Sequence, residues 1–145
     1  MAEFMAGKSA VMYSGPMLMP AAKKLKITCN ENAKNVSWFN TYPEYNHNEY
    51  IGWTGGPVQK PYAIINFLTD LEHPRVQKRF DISDKLLSGL RPEPMNVQCQ
   101  GVTIIEQILW AMMLGDFAAT YLAVLNGINP EPVELVEKLK VELNS

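Results

Sequence analysis

The feature that most constrains the fold is Tyr62–Leu68, a continuous apolar run with the sequence YAIINFL. A run of this kind is typical of a strand that is buried on both faces of a sheet. Helical patterns stand on both sides of it. Apolar residues recur at steps of three and four from position 18 to position 33, and residues 103–126 are apolar along almost their whole length. Strands that alternate with helices predict an α/β fold, in which helices cover both faces of a parallel sheet.

Further strands are predicted at Ser9–Ser14 and at residues 36–42 and 95–100, so the expected sheet has four to five strands. The helix after the first strand should begin near Met19, because Pro20 is tolerated only in a first turn. Other helices are predicted at residues 74–79, 81–90 and 133–143. The chain has 145 residues, which suits a single domain over residues 1–145.

Composition and charge exclude several classes of function. The net charge is -2 and no stripe of lysine or arginine is present, so a nucleic-acid-binding surface is not expected. Glu106 and Asp116 interrupt the long apolar segment and leave uncharged runs too short to span a membrane. Cys29 and Cys99 lack metal-ligand spacing and lie in apolar settings, as the buried thiols of a cytoplasmic protein do.

Two polar segments carry the candidate chemistry, one around Glu31 and one around His47. A carboxylate and an imidazole are the usual side chains for moving protons on a small polar substrate. Glu31 stands at the end of the first long helix and off its apolar stripe, so its side chain should face away from the core. His47 is expected in the first turn of a short helix that Asn46 caps, with Glu49 three residues later. The positive end of that helix would favour the neutral imidazole.

Both candidate residues are expected near the carboxyl ends of the strands, where ligands bind in folds of this kind. On spacing alone, a lone glutamate and a lone histidine are more often ordinary surface residues, and that alternative stays open at this point.

The same segments resemble those of a known family, the bifunctional phosphoglucose/phosphomannose isomerases, in their second sugar-isomerase (SIS) domain. The resemblance covers nearly the whole chain and keeps the motifs in order. It is carried by residues 30–34 (NENAK), 43–44 (PE), 47–48 (HN), 115–116 (GD), 122–123 (LA), 126–130 (NGINP) and 139–140 (LK).

The resemblance implies an aldose–ketose isomerase that acts on six-carbon sugar phosphates through a cis-enediol. It implies that Glu31 is the base that carries the proton between C1 and C2. It also implies that His47 assists ring opening from the neighbouring subunit of a dimer, and that Lys140 lines the site. A carboxylate base, an imidazole and a cation near the developing oxyanion suit that chemistry. It requires no metal or organic cofactor, and the residues that bind the rest of the substrate remain unassigned.

One departure from the family affects the expected partners. Its members also carry a first SIS domain, which supplies a Ser/Thr loop for phosphate and an arginine for the enediolate, and this chain has neither motif. The expected partners are therefore a sugar-phosphate substrate and either a second copy of the chain or a separate first SIS domain. The apolar surplus of residues 103–125, with an outward-facing Ile27, predicts self-association. The alternative function is a non-catalytic sugar-phosphate-binding or dimerisation module.

Overall fold

The computed structural model describes residues 1–57 and 59–144. Its centre is a sheet of four parallel strands in the order β2-β1-β3-β4. The strands are β1 (Ser9–Ser14), β2 (Ser37–Thr41), β3 (Tyr62–Leu68) and β4 (Met95–Gln98). The helices of the described residues are α1 (Ala2–Met5), α2 (Met19–Glu31), α3 (Glu49–Gly52), α4 (Pro74–Leu86), α5 (Ile104–Leu125) and α6 (Glu134–Leu143), with 3-10 turns at Pro16–Leu18 and Glu44–His47. The predicted α/β fold, a parallel sheet with helices on both faces, is confirmed.

The connections fix which end of each helix meets which edge of the sheet. β1 lies between β2 and β3, and Met12 is aligned with Phe39 on one side and with Ile65 on the other. Because all strands are parallel, their carboxyl ends form one edge of the sheet and their amino ends form the opposite edge. α2 leaves the carboxyl edge after β1 and returns the chain to the amino edge before β2. Its 13 residues span roughly 20 Å, about the height of the sheet.

The face of the sheet covered by α1, α2 and α5 holds the larger apolar core. Met12 from β1 and Ile65 from β3 are fully buried there. Gly115 lets α5 approach α2 closely, since a Cβ at that position would lie 3.3 Å from the side chain of Leu25. The other side of the same strands is buried as well, which explains why Tyr62–Leu68 is apolar without alternation.

The opposite face is packed with aromatic rings beneath α3 and α4. Tyr13, Tyr42 and Tyr45 are in mutual ring contact, with centroids 4.4 to 6.5 Å apart. Tyr13 donates a hydrogen bond to Glu49, and Trp53 Nε1 donates to the Tyr13 hydroxyl at 3.1 Å. Burial, and next the charge of Glu49, raise the pKa of Tyr13, so the phenol stays protonated and continues to donate.

A buried ion pair between Arg91 and Asp84 closes this face. Arg91 is 6% exposed, and its guanidinium donates to the Tyr45 hydroxyl at 3.0 Å and to the Asp84 carboxylate. Asp84 also accepts from the Asn66 amide at 3.2 Å. Burial raises the pKa of Asp84, and Arg91 is the largest influence that opposes the rise. The pair joins α4 and β3 to the loop that follows α4.

The structure differs from the predicted elements between β3 and β4. Residues 74–79 and 81–90 were predicted as two helices, but they form the single helix α4, Pro74–Leu86, and the segment after Leu86 is not helical. No residue that breaks helices separates the two segments, and Phe80 between them is buried against the aromatic face. The predicted strands at residues 36–42 and 95–100 are confirmed, with the shorter bounds Ser37–Thr41 and Met95–Gln98.

The long apolar helix is confirmed as α5, and its start is fixed by a capping box. The Glu106 amide donates to Thr103 Oγ1 at 3.3 Å, and the Thr103 amide donates to the Glu106 carboxylate at 2.7 Å. These backbone donors lower the pKa of Glu106. Among the described residues, α5 alone has the length and the apolar composition that a membrane-spanning helix needs. About a third of the most apolar part of α5 is buried inside the protein.

Cys29 and Cys99 are buried free thiols, as predicted, and burial raises the pKa of each to about 11. Both thiols are therefore protonated and unreactive near neutral pH. Within residues 1–57 and 59–144, no three histidine, cysteine or acidic side chains come together in a group that could hold a metal ion.

The ion pair of Arg91 gives a direct test of the second face. We expect Arg91→Met to lower the free energy of unfolding by about 3–5 kcal/mol, because it leaves the partly buried Asp84 carboxylate without its counter-charge. Urea denaturation at pH 7 measures the loss. The matched control is Lys24→Met, which breaks the pair with Asp116, whose side chain is 48% exposed. That change should cost at most about 1 kcal/mol, and equal losses in the two variants would contradict the assignment.

Candidate active site

Glu31 is the last residue of α2, and its position is set by the amides around it. The Asn30 side chain donates to the Lys26 carbonyl at 2.7 Å and to the Ser37 carbonyl, at the start of β2, at 3.0 Å. The Asn35 side chain donates to the Lys8 carbonyl, just before β1, at 2.9 Å. These bonds hold the end of α2 at the amino edge of the sheet. Glu31 itself is exposed and off the buried stripe of α2, as predicted.

A groove of about 980 Å³ opens beside Glu31, between the end of α2 and the segment that leads into α6. Lys140 from α6 lines the same groove, so the structure brings together two of the three predicted site residues. The full lining is Lys26, Ile27, Asn30, Glu31, Lys34, Asn129, Pro132, Val133, Glu134, Leu135, Val136, Glu137 and Lys140. The groove therefore offers a carboxylate on one wall and an ammonium group on the other.

Charges of both signs line this groove, and most are in contact with water. Lys140 Nζ lies 2.7 Å from Glu137 Oε1, with both side chains 61% exposed. Lys34 Nζ donates to the backbone carbonyl of Glu31 at 2.6 Å, which places a second cation beside the candidate base. Exposed pairs of this kind exchange partners at little cost, so Lys140 is free to turn from Glu137 to an anionic ligand. The lysines together suit a substrate that carries negative charge.

Asn32 links the two walls of the groove. Its side-chain amide donates to the Pro130 carbonyl at 3.1 Å, which attaches the segment between α5 and α6 to the end of α2. Every residue of α6 is exposed, so packing does not hold this helix against the domain. The placement of Lys140 opposite Glu31 therefore depends on this tether. Asn32 and Lys34 were not predicted as site residues, although their place beside Glu31 in the NENAK motif was a usable signal.

His47 lies at the other edge of the sheet, on the 3-10 turn Glu44–His47 that follows β2. Tyr45 anchors this turn, because its ring is fully buried in the aromatic face. The Asn46 side-chain Nδ2 donates to Ser83 Oγ at 3.1 Å, and its side-chain Oδ1 accepts from Arg79 at 3.0 Å. His47 itself is exposed on this fixed turn.

The prediction that Asn46 caps the short helix after β2 is wrong. Asn48, and not Asn46, caps α3, since its side chain accepts from the Glu49 amide at 2.5 Å. The Asn46 side chain is instead hydrogen-bonded to Ser83 and Arg79 of α4. His47 therefore precedes α3 and does not lie in its first turn, so the helix dipole gives no argument about its charge.

Within one chain, Glu31 and His47 cannot act on the same small substrate. Glu31 ends a helix that returns to the amino edge, whereas His47 follows β2 at the carboxyl edge. Roughly 15–20 Å of helix and strand separates those two edges. The expectation that both lie near the carboxyl ends is thus correct for His47 and wrong for Glu31. A site that uses both residues has to take them from two chains.

The carboxyl edge, where ligands were expected, holds a small cavity of about 160 Å³ that is lined by carboxylates. Glu72 is 7% exposed and accepts hydrogen bonds from the Met17 and His73 amides, each at 3.0 Å. Gly15 is required here, since a Cβ would overlap the Glu72 carboxylate. Asp70 and Asp81 also line the cavity. This cavity therefore repels an anion, a feature that the acidic residues directly after β3 could have signalled.

The comparison with protein families decides the assignment. The family model described as "Bacterial phospho-glucose isomerase C-terminal SIS domain" matches residues 1–143. The chain belongs to this family. The match confirms the resemblance drawn from the motifs around Glu31, His47 and Lys140, although it does not by itself assign their roles.

Curated relatives of this SIS domain are longer proteins. A bifunctional phosphoglucose/phosphomannose isomerase from Aquifex aeolicus is 31% identical over 137 residues, which cover 94% of this chain and 43% of that protein. A protein of the same name from Thermoplasma volcanium is 27% identical over 133 residues, covering 92% of this chain and 42% of that protein. The chain thus spans less than half the length of these relatives.

Solved structures share the fold of this SIS domain. A glucose-6-phosphate isomerase like protein from Thermus thermophilus aligns with a TM-score of 0.69 at 20% identity, over 95% of this chain and 44% of that one. A tagatose-6-phosphate ketose/aldose isomerase from Escherichia coli aligns with a TM-score of 0.64 at 13% identity, over 92% of this chain and 42% of that one. At these identities the likeness establishes the fold alone.

The tether at Asn32 can be tested without any assay of activity. We expect Asn32→Ala to release the segment between α5 and α6, because it removes the side-chain donor to the Pro130 carbonyl. Amide hydrogen exchange should then become faster in residues 128–144 and stay unchanged in β1 and β3. The control is Asn35→Ala. It removes a hydrogen bond from the same loop, but this bond goes to the Lys8 carbonyl before β1 and not to the segment between α5 and α6. Unchanged exchange in residues 128–144 would show that α6 is held by other contacts.

Proposed function

We propose that this SIS domain is one half of an aldose–ketose isomerase for six-carbon sugar phosphates, with Glu31 as the proton-transferring base. The observation that carries the proposal is the groove that Glu31 and Lys140 share at the amino edge of the sheet. Family membership supports a reaction of the phosphoglucose/phosphomannose isomerase type.

The proposed proton transfer between C1 and C2 uses the carboxylate and the ammonium group that the groove offers. In the aldose-to-ketose direction, the Glu31 carboxylate removes the proton from C2 while the C1 carbonyl oxygen takes a proton from water and becomes a hydroxyl. The resulting cis-enediol then receives the Glu31 proton at C1, and the C2 hydroxyl gives its proton back to water and becomes the ketone. Atoms and electrons balance without an added oxidant or reductant. Lys140 stabilises the negative charge that develops on the enediol oxygens.

The fixed position of Glu31 suits a base of this kind. The bond from Asn30 to the start of β2 anchors the end of α2, so the carboxylate is presented from a rigid element. A positioned base acts on a bound sugar without the entropy loss of a separate encounter. Lys34, whose ammonium group lies at the Glu31 carbonyl, would add to the attraction for the substrate.

The proposed role of His47 in ring opening requires a second subunit. His47 is exposed on a turn that buried Tyr45 anchors, which suits a residue that is offered to a neighbouring chain. In a two-fold symmetric dimer, His47 of each chain would reach the groove of the other.

The proposed substrate also requires a phosphate site, which the cavity at the carboxyl edge does not offer. Asp70, Glu72 and Asp81 line that cavity. Because the curated relatives are more than twice as long as the matched segment, we assign the phosphate site to a first SIS domain.

A second candidate function is a non-catalytic sugar-phosphate-binding module. The observation that favours it is the open groove, in which Lys140 pairs with Glu137 and no imidazole of the same chain is near. An assay with fructose 6-phosphate separates the two functions when a first SIS domain is provided. For this purpose we define the chimera as the first domain of the Aquifex aeolicus relative fused ahead of Met1. A folded chimera that binds fructose 6-phosphate without converting it would favour the second function.

Glu31→Gln tests the base directly. In the chimera, we expect the substitution to lower kcat by on the order of 10²–10⁴-fold with little change in KM, because it removes the proton-abstracting group and keeps the shape. Solvent-deuterium incorporation at C2 of the aldose formed from fructose 6-phosphate measures the step. The melting temperature should hardly change, since Glu31 is exposed. Exchange at the wild-type rate would show that Glu31 is not the base.

Mixing two inactive variants tests whether the site is shared. We expect chimeras that carry Glu31→Gln and His47→Ala, each of low activity, to regain about one quarter of wild-type activity per chain after subunit exchange. Half of the dimers are then mixed, and each mixed dimer contains one intact site of two. The control mixes Glu31→Gln with Lys140→Ala, because these residues line the same groove of one chain. That mixture leaves no groove with both residues intact, so equal recovery in the two mixtures would contradict the shared site.

A further inference from the structure

A second cleft, of about 380 Å³, lies between α4 and residues 46–50, away from the groove beside Glu31. We call it the α4 cleft. The cationic side chains of Arg75, Lys78 and Arg79 line it, and none of the described residues that line it carries a carboxylate. It differs in this from the acidic cavity at the carboxyl edge, and also from the groove, where charges of both signs are present.

The sequence of α4 puts these cations on one side of the helix. Positions 75, 78, 79 and 82 follow at steps of three, one and three residues, so their side chains share one helical face. α4 begins after β3, and the turn that contains Asn46 follows β2. Both walls of the cleft therefore start from the carboxyl edge of the sheet, where ligands bind in folds of this kind.

The three cations have no counter-charge in the described part of the chain. None of the ion pairs there includes them, and the side chains of Arg75 and Lys78 make no hydrogen bond to a described residue. Arg79 donates to Asn46 Oδ1 at 3.0 Å, but this acceptor is neutral. The cleft thus carries a local positive charge on a chain whose net charge is -2.

Two carboxylates are close to the cleft in the sequence, but neither lines it. Glu44 accepts from the Asn48 side chain at 2.9 Å, and Asp81 lines the acidic cavity. The arrangement destabilises α4, because like charges three and four residues apart repel and because Arg75 lies in the first turn, where the helix dipole disfavours a cation. Local costs of this kind are expected where side chains serve a ligand.

The remaining lining residues are held in place and include an aromatic ring. Ser83 is 3% exposed, and the Asn46 side chain donates to its hydroxyl at 3.1 Å. The half-buried ring of Tyr50 meets the buried ring of Tyr45 edge-on, with centroids 5.9 Å apart. Ile82, which is 44% exposed, adds an apolar side chain. The cleft therefore offers cations for anionic groups and a fixed ring for a planar group.

We propose that the α4 cleft binds a nucleoside polyphosphate, with its phosphates at Arg75, Lys78 and Arg79 and its base on Tyr50. Guanidinium groups bind phosphate oxygens through paired hydrogen bonds, so three cations match a chain of two or three phosphates. Bases stack on aromatic side chains whatever their identity. The volume of the cleft is in the range of small-molecule sites. This inference goes beyond the proposed isomerase and does not depend on it.

Calorimetric titration of the 145-residue chain with ADP, in the absence of magnesium, tests the cations. We expect Arg75→Gln combined with Lys78→Gln to weaken ADP binding at least about tenfold, because charge-assisted hydrogen bonds to phosphate are lost. The matched control combines Lys23→Gln with Lys138→Gln, which removes the same charge at distant surface positions and should change the affinity less than about twofold. All four side chains are exposed, so folding should be intact, which circular dichroism checks. Equal weakening in both double variants would overturn the proposal.

Titrations with pyrophosphate and with adenosine separate the two halves of the ligand. We expect each to bind at least about fivefold more weakly than ADP, because pyrophosphate lacks the base and adenosine lacks the phosphates. Tyr50→Leu should weaken the binding of ADP and leave that of pyrophosphate within about twofold. Pyrophosphate or adenosine that binds as tightly as ADP would overturn the proposal.

The location of ADP has to be measured as well, because the groove beside Glu31 also contains lysines. In NMR titrations, we expect ADP to shift the signals of the Asn46 side-chain amide and the Ser83 backbone amide. Lys34→Gln combined with Lys140→Gln should leave the ADP affinity within about twofold. Shifts confined to the groove, an affinity lost in this groove variant, or no binding of ADP would each overturn the proposal. No conversion of substrate is measured, so none of these results bears on the proposed isomerase.

Discussion

The direction of the chain in a parallel sheet controls the rest of this structure. Each strand ends at one edge, and each helix that follows must bring the chain back to the opposite edge. A residue at the end of a helix and a residue just after a strand therefore lie on opposite sides of the molecule. Glu31 and His47 occupy such positions, because α2 ends at the amino edge and the turn after β2 lies at the carboxyl edge. No side-chain rotation can reverse this separation.

The domain divides into a rigid body and a loosely attached site wall. The sheet, α2, α4 and α5 are fixed by buried contacts such as those of Met12, Phe80 and Leu25. α6 has no buried residue and is connected to α2 by the bond from Asn32 to Pro130. The body can consequently be stable while one wall of the groove moves. A site that closes on a substrate benefits from this arrangement, since its two walls need not share a core.

The sequence predicted the body better than the site. Tyr62–Leu68 and Ser9–Ser14 were found with their observed bounds, because strands buried on both faces are marked by uninterrupted apolar residues. The outward position of Glu31 followed from helical periodicity. The edge at which Glu31 lies could be predicted only from the direction of α2 relative to the strands. The cap at Asn48 could not be predicted because Asn46 is hydrogen-bonded to Ser83 of α4. Such long-range contacts leave no local pattern, so the predictions failed where tertiary structure decided the outcome.

The buried carboxylate of Glu72 has a further consequence for the chemistry of this domain in the cell. It accepts hydrogen bonds from the Met17 amide before α2 and from the His73 amide before α4, which would otherwise be open to a small anion. An internal carboxylate is always present at high effective concentration, so it competes strongly with free phosphate and sulfate for these two amides. The domain thereby disfavours the commonest inorganic anions in this cavity. Competition from such ions would then be felt at the lysines of the groove beside Glu31 and at surfaces that another protein segment provides.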